Sequence, residues 1–150
     1  MMTAFRQVRL ALVILLAAGV TACDFGKVSG PTAPDQSAVP FAIVDLTIGT
    51  GTEAKAAGTS VTTSYAAWLY SETAPDHKGT QIDQNQLSFV LGANQVIPGF
   101  EQGVTGMKVG GTRRVTVPPS LAYGASGNQS IPPNAALVFD IALTSATAPQ

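Results

Sequence analysis

From Phe41 onward the pattern of apolar and polar residues has mostly a period of two, and only one short stretch looks helical. A period of two suits strands with one buried face, whereas helices repeat every 3.6 residues. Val44, Leu46 and Ile48 alternate with Asp45 and Thr47 before Gly49-Thr50-Gly51 turns the chain. Val61, Thr63, Tyr65, Ala67 and Leu69 fall on one face of a second strand, and Ser71–Gly79 reads as a polar loop. Short strands follow at Thr80–Asp83 and Leu87–Leu91, with another at Thr112–Val117 that Pro118-Pro119 closes. Leu137, Phe139, Ile141 and Leu143 line one face of the last. The exception begins at Pro98, a residue suited to a first helical position, with Phe100 and Val104 on one face. The pattern predicts an α+β domain, an antiparallel sheet with one short helix.

The 150 residues allow one domain. Hydrophobic residues make up 45% and charged residues 11%, enough apolar matter for a core and too little charge for a disordered chain. A formal net charge of −1 argues against nucleic acid as a partner. One cysteine, Cys23, rules out an internal disulfide, a zinc finger and CxxC redox chemistry. One histidine, His77, sits in a polar loop with no G-x-S-x-G elbow elsewhere, so a serine hydrolase is not supported. Neither a metal nor a cofactor is expected. Lys108, Arg113 and Arg114 around Gly110-Gly111 read as a solvated hairpin.

The N-terminus reads as an address. Arg6 and Arg9 precede the apolar run Leu10–Val20, which is too short to span a bilayer and fits a signal peptide over residues 1–22. Val20-Thr21-Ala22-Cys23 resembles a bacterial lipobox, which implies diacylglycerol on the Cys23 thiol and an anchor in the lipid bilayer. The expected location is the bacterial cell envelope, on the periplasmic side of the inner or outer membrane in a Gram-negative cell. Residues 23–40 then form an acylated Cys and a disordered tether, rich in Pro, Gly and Ser. Residues 41–150 are the domain.

Three segments place apolar and aromatic residues in loops: Val96-Ile97-Pro98-Gly99-Phe100, Leu121-Ala122-Tyr123-Gly124 and Ile131-Pro132-Pro133. Each alone is compatible with core packing; together they could line an apolar concave site. Composition and period do not choose between these.

The same segments carry a resemblance. Gly79-Thr80-Gln81-Ile82-Asp83, Ser88–Gly92, Val96–Val104, Gly106–Gly111, Pro118–Gly124 and Ile131–Asp140, in this order, resemble the FKBP-type peptidyl-prolyl isomerases. The likeness runs from about Val44 to Leu143. It implies a five-stranded antiparallel sheet wrapped around one short helix, with a pocket between them. It implies that Phe100, where the family usually has Trp, is the floor beneath a prolyl ring, with Tyr65, Ile82, Leu87, Phe89, Val96, Ile131 and Phe139 as substrate-binding walls. Tyr123 would donate its hydroxyl, and Ile97 its backbone N–H, to substrate carbonyls, while Asp83 faces the isomerising amide. Implied partners are proline-containing polypeptides and macrolide inhibitors, with the protein a monomer. Ile82 and Leu87 stand where the family has aromatics, and only Gln84, Asn85 and Gln86 separate Asp83 from Leu87. That side of the rim is therefore expected to be cut back. A proline-binding chaperone module with little turnover, and an envelope structural lipoprotein, are the alternatives.

Overall fold

The computed structural model describes residues 34–55 and 57–149. The signal peptide, Cys23 and the first part of the tether lie outside them. Five strands form one antiparallel sheet: β1 (Ala42–Thr47), β2 (Ser60–Tyr70), β3 (Lys78–Val90), β4 (Thr112–Val117) and β5 (Leu137–Thr147), in spatial order β1-β4-β5-β2-β3. The helix α1 (Pro98–Val104) lies against β4 and β5, with Pro98 in its first turn. Phe100, Val104, Val115, Leu137, Ile141 and Leu143 are buried between helix and sheet, together with the inward residues Val61, Thr63 and Ala67 of β2. Burial of this apolar set is the main force behind the fold.

Two glycines let α1 approach the sheet. A Cβ on Gly99 would stand 2.2 Å from Val117 Cγ1, and one on Gly103 would stand 2.6 Å from Val115 Cγ2. Gly99 and Gly103 are four residues apart and so present one bare stripe to β4. Arg113 fixes the other end of the helix. Its guanidinium donates to the Gly103 and Thr105 carbonyls at 2.9 and 3.1 Å and to Asp45 Oδ1 at 2.6 Å, tying the helix C-terminus to β1. These carbonyls have no partner within the helix, and a cation suits them.

Arg113 and Arg114 therefore are not a solvated hairpin cluster. Strand alternation sends them to opposite faces. Arg114 bonds Asp140 through two nitrogens at 2.7 and 3.0 Å and pairs with Asp76 at 2.9 Å. Lys78 completes this outer-face network, 2.5 Å from Asp140 and 4.0 Å above the Trp68 ring centre. Burial by itself would raise the Asp140 pKa, but the bonds from Arg114 and Lys78 outweigh it and hold the carboxyl below its ordinary value. His77 is exposed, stacks on Tyr70 at 4.8 Å and bonds to the Ser71 carbonyl through Nδ1 at 3.2 Å.

Three further expectations change. First, Thr80–Asp83 and Leu87–Leu91 are one strand: β3 starts at Lys78 and runs unbroken through Gln84, Asn85 and Gln86, which pair with Ala66, Tyr65 and Ser64. The trio is polar and exposed on an edge strand, so burial imposes no period on it. Second, Val44, Leu46 and Ile48 are 54%, 46% and 78% exposed. β1 is the opposite edge, and Val44 pairs with Arg114, so its apolar alternation faces away from the helix layer. Third, the tether does not remain free up to Pro40. The Gln36 carboxamide donates to the Tyr70 carbonyl at 3.1 Å and accepts from the Ala136 N–H at 2.8 Å, so the folded unit begins before Phe41.

Candidate active site

One row of residues across the sheet explains why a cavity exists. Val115, Phe139, Ala67 and Asp83 are directly paired neighbours on β4, β5, β2 and β3, and so share the face turned toward the helix. Ala67 is the small member of the row, flanked on its own strand by Tyr65 and Leu69. The space it leaves is part of a cavity of about 830 Å³ between β2, β3, β5, the start of α1 and the loops after β4.

A bulge aims β3 into this space. Ala67 pairs with Asp83 while Trp68 pairs with Gln81, so Ile82 is the extra residue. Consecutive strand residues normally point to opposite faces; the bulge lets Ile82 and Asp83 both line the cavity.

Phe100 is 3% exposed and forms the base. Its ring meets those of Tyr65, Phe139 and Phe89 edge-on, with centroids 5.3, 5.4 and 5.9 Å away. Such contacts lock ring positions and add to the burial energy. Tyr65, Ile82, Leu87, Val96, Ile97, Ile131 and Phe139 all line the cavity, as do Asp83 and Tyr123. Phe89 does not: it is buried behind Phe100 and supports the base from below.

The polar groups fall into two kinds. The Tyr65 hydroxyl donates to Asp83 Oδ2 at 2.5 Å, and Asp83 Oδ1 accepts the Gln84 N–H at 2.8 Å. Burial, then the bond to Asp83, pushes the Tyr65 pKa up to about 12, so its phenol stays neutral at physiological pH. By contrast, the Tyr123 hydroxyl and the Ile97 N–H have no hydrogen-bond partner among the described residues. Ile97 is the N-cap of α1 and its carbonyl already accepts from Phe100 and Glu101. Two unspent donors thus border an apolar base.

The loops are held by their own bonds. Glu101 Oε1 accepts the Gly92 N–H at 2.8 Å and Gln95 Oε1 accepts the Val90 N–H at 2.9 Å, which pins the segment leading into α1. Asn128 Oδ1 accepts the N–H groups of Ser130 and Ile131, setting Ile131 into the wall. Gly127, with φ +59°, is required in this turn, since a Cβ there would stand 2.3 Å from the Ile131 carbonyl oxygen.

Sequence reasoning missed Ala67, Leu137 and Pro98, and the polar rim of Asn94, Gln95, Asn128 and Ser130. Ala67 carried a readable signal, a small residue midway along a strand of large ones.

A cavity with an aromatic base, two donors without a partner among the described residues, and no histidine or cysteine in its lining fits a non-covalent catalyst. The family model described as FKBP-type peptidyl-prolyl cis-trans isomerase matches residues 51–144. The chain belongs to this family. An FK506-binding protein of Neisseria meningitidis serogroup B is 42% identical over 103 residues, covering 67% of this chain and 91% of that protein. The chloroplastic peptidyl-prolyl cis-trans isomerase FKBP17-1 of Arabidopsis thaliana is 33% identical over 140 residues, covering 86% and 59%. Among solved structures, FkpA from Escherichia coli matches with a TM-score of 0.61 and 32% identity, over 77% of this chain and 52% of that one. A peptidyl-prolyl cis-trans isomerase from Pseudomonas syringae pv. tomato matches with a TM-score of 0.60 and 30% identity, over 77% and 84%. A five-stranded sheet around one helix is the shared FKBP-like fold. The chaperone module with little turnover is not favoured in an isomerase family.

Proposed function

We propose that the chain accelerates X-Pro rotation in exported polypeptides at the cavity floored by Phe100, while an acylated Cys23 holds it at the bilayer of a bacterial envelope. The observation that carries the enzymatic part is the pair of unpartnered donors, Tyr123 and the Ile97 N–H, set over an aromatic base.

Rotation about an X-Pro bond is slow because twisting removes amide resonance, with a barrier near ~18–20 kcal/mol. The planar amide has more charge separation than the twisted one. An apolar cavity therefore destabilises the ground state relative to the transition state, which is differential binding without a nucleophile. The prolyl ring sits over Phe100 between Tyr65, Ile82 and Phe139. Tyr123 and the Ile97 amide bind the flanking carbonyls and hold the chain on either side of the turning bond. Asp83 acts through Tyr65, keeping that ring upright beside the floor, and its charge faces the amide. Each tenfold of rate needs about 1.4 kcal/mol, so a few such interactions suffice.

The test is a protease-coupled assay with an Xaa-Pro peptide on the full chain. Isomerisation faster than in buffer, inhibited by a macrolide, is the expected result; a rate equal to buffer refutes the reading. Anchoring is tested apart from it. Wild-type protein is expected in the membrane fraction with an acylated N-terminal Cys23 by mass spectrometry, and Cys23→Ser in the soluble fraction. Equal partition of the two refutes the anchor.

A further inference from the structure

We propose that Gln36, in the segment ahead of β1, is a positioning residue for the cavity, bracing the two loops that carry Tyr123 and Ile131. The kinetic consequence rests on the isomerase reading; the bracing itself does not.

Gln36 bonds across large sequence separations. Its Oε1 accepts the Ala136 N–H at 2.8 Å, its Nε2 donates to the Tyr70 carbonyl at 3.1 Å, and its backbone N–H donates to the Asn134 carbonyl at 3.2 Å. Tyr70 and Ala136 also bond to each other, Tyr70 N–H to Ala136 carbonyl at 2.9 Å. The carboxamide thus uses the remaining donor and acceptor of that pair and extends the β2–β5 ladder by one rung. Ala136 is fully buried and directly precedes Leu137, which lines the cavity.

Asn134 links the brace to the site. Its N–H donates to the Gly124 carbonyl at 2.9 Å, one residue from Tyr123. The next residue, Ala135, donates to the Pro132 carbonyl at 3.3 Å, one residue from Ile131. Asn134 is held at φ +55°, a left-handed conformation that asparagine tolerates better than other non-glycine residues but that still costs energy, so its bonds on both sides help to hold it. Gln36 and Gly124 restrain it from its two sides. Tyr123 depends on this more than a core residue would. It is 39% exposed and its hydroxyl has no hydrogen bond among the described residues, so its placement rests on its backbone and on partial packing. Loosening Asn134 lowers the fraction of molecules with Tyr123 and Ile131 in place, and apparent affinity falls by that fraction.

The experiment uses the full chain with Gln36→Ala and Gln36→Met, the latter keeping side-chain length without the two side-chain bonds. Both are expected to raise KM for an Xaa-Pro peptide about fivefold with kcat within about twofold, and to weaken binding of FK506 by the KM factor. Both are also expected to speed hydrogen exchange at the Asn134 amide about tenfold, although that amide bonds to Gly124 and not to Gln36. Full recovery in Gln36→Met assigns the residue to packing and overturns the proposal. So do an unchanged KM with unchanged exchange, or a parallel loss of kcat and folded protein. If the wild type shows no turnover, the isomerase reading fails, and Asn134 exchange alone decides whether Gln36 braces the loops.

Discussion

Ala67→Val separates the roles of the cavity and the core, because it should move stability and activity in opposite directions. Ala67 is 2% exposed, lies midway in the row Val115–Phe139–Ala67–Asp83 and lines the cavity. Valine adds two methyl-sized groups. At about 0.8 kcal/mol each they would contribute about 1.5 kcal/mol if fully buried. The cavity opens to solvent, so about 1 kcal/mol is the reasonable gain, helped by the preference of β-branched residues for strands. For a domain of this size that is a rise of about 4 °C in Tm. The same methyl groups occupy space the prolyl ring needs. Squeezing a ligand past extra methylenes costs about 1–3 kcal/mol, which lowers kcat/KM about five- to 150-fold. Thermal unfolding and the protease-coupled assay on one preparation read both. A higher Tm with unchanged kcat/KM would show that the ring does not sit above Ala67. A lower Tm would show that the space is already filled by Tyr65 or Phe100.

Three further outcomes follow from the geometry. Ultraviolet titration of the three tyrosines should show one at about 12, assigned to Tyr65 because Tyr65→Phe abolishes it. Asp83→Asn should lower it only part-way, since burial is the larger cause; a raised folded pKa also means that this contribution to stability is whole below pH ~10 and lost toward pH ~12. Asp140→Asn should lower the urea midpoint at pH 7, and the gap to wild type should close as pH falls below ~4, because a depressed carboxyl pKa stabilises only while the group is ionised. A pH-independent gap would refute the ionic origin. Gly103→Ala should cost about 1–3 kcal/mol by forcing a methyl to within 2.6 Å of Val115 Cγ2, and Val115→Ala in the same chain should recover part of it.

What could be read from the sequence follows a physical line. β2, β4, β5 and the start of α1 were legible because their periodicity is written by the burial they undergo: Val61, Val115, Leu137 and Ile141 are at most 1% exposed. The two edges were not. Gln84-Asn85-Gln86 pairs on one side only and buries nothing, so a strand there looks like a loop. In β1 the alternation is real, but which face a neighbouring layer covers is settled by the register Val44–Arg114, a fact that no local pattern holds. The same distinction governs the site. Its base and walls, Phe100, Tyr65, Ile97, Ile131 and Phe139, stood out as aromatic or apolar residues in ordered motifs. Ala67 and Leu137 hid within core patterns, and the role of Phe89 was misassigned for the opposite reason: being next to the base and being exposed in the cavity look alike in one dimension. Gln36 gave no signal at all, since a lone carboxamide in a Pro-rich stretch reveals nothing about partners 34 and 100 residues away.

The hydrogen-bond pattern also restricts the chemistry. A route by proton transfer needs an acceptor free to take a proton and a donor ready to lose one. In the cavity lining, the carboxylate of Asp83 accepts from Tyr65 on one oxygen and from Gln84 on the other, which fixes its orientation as a brace for the Tyr65 ring. The Tyr65 phenol is both bonded and held neutral, with its pKa at about 12. The donors left over are a hydroxyl and a backbone amide, which can align carbonyls but have no neighbour to relay a proton to. An amide that must only rotate asks for nothing more: fixed dipoles at its two ends and an apolar floor beneath its ring. Because both donors sit on loops, Tyr123 after β4 and the Ile97 N–H at the start of α1, the parts sensitive to mutation include those that hold these loops still, and that is the role proposed for Gln36.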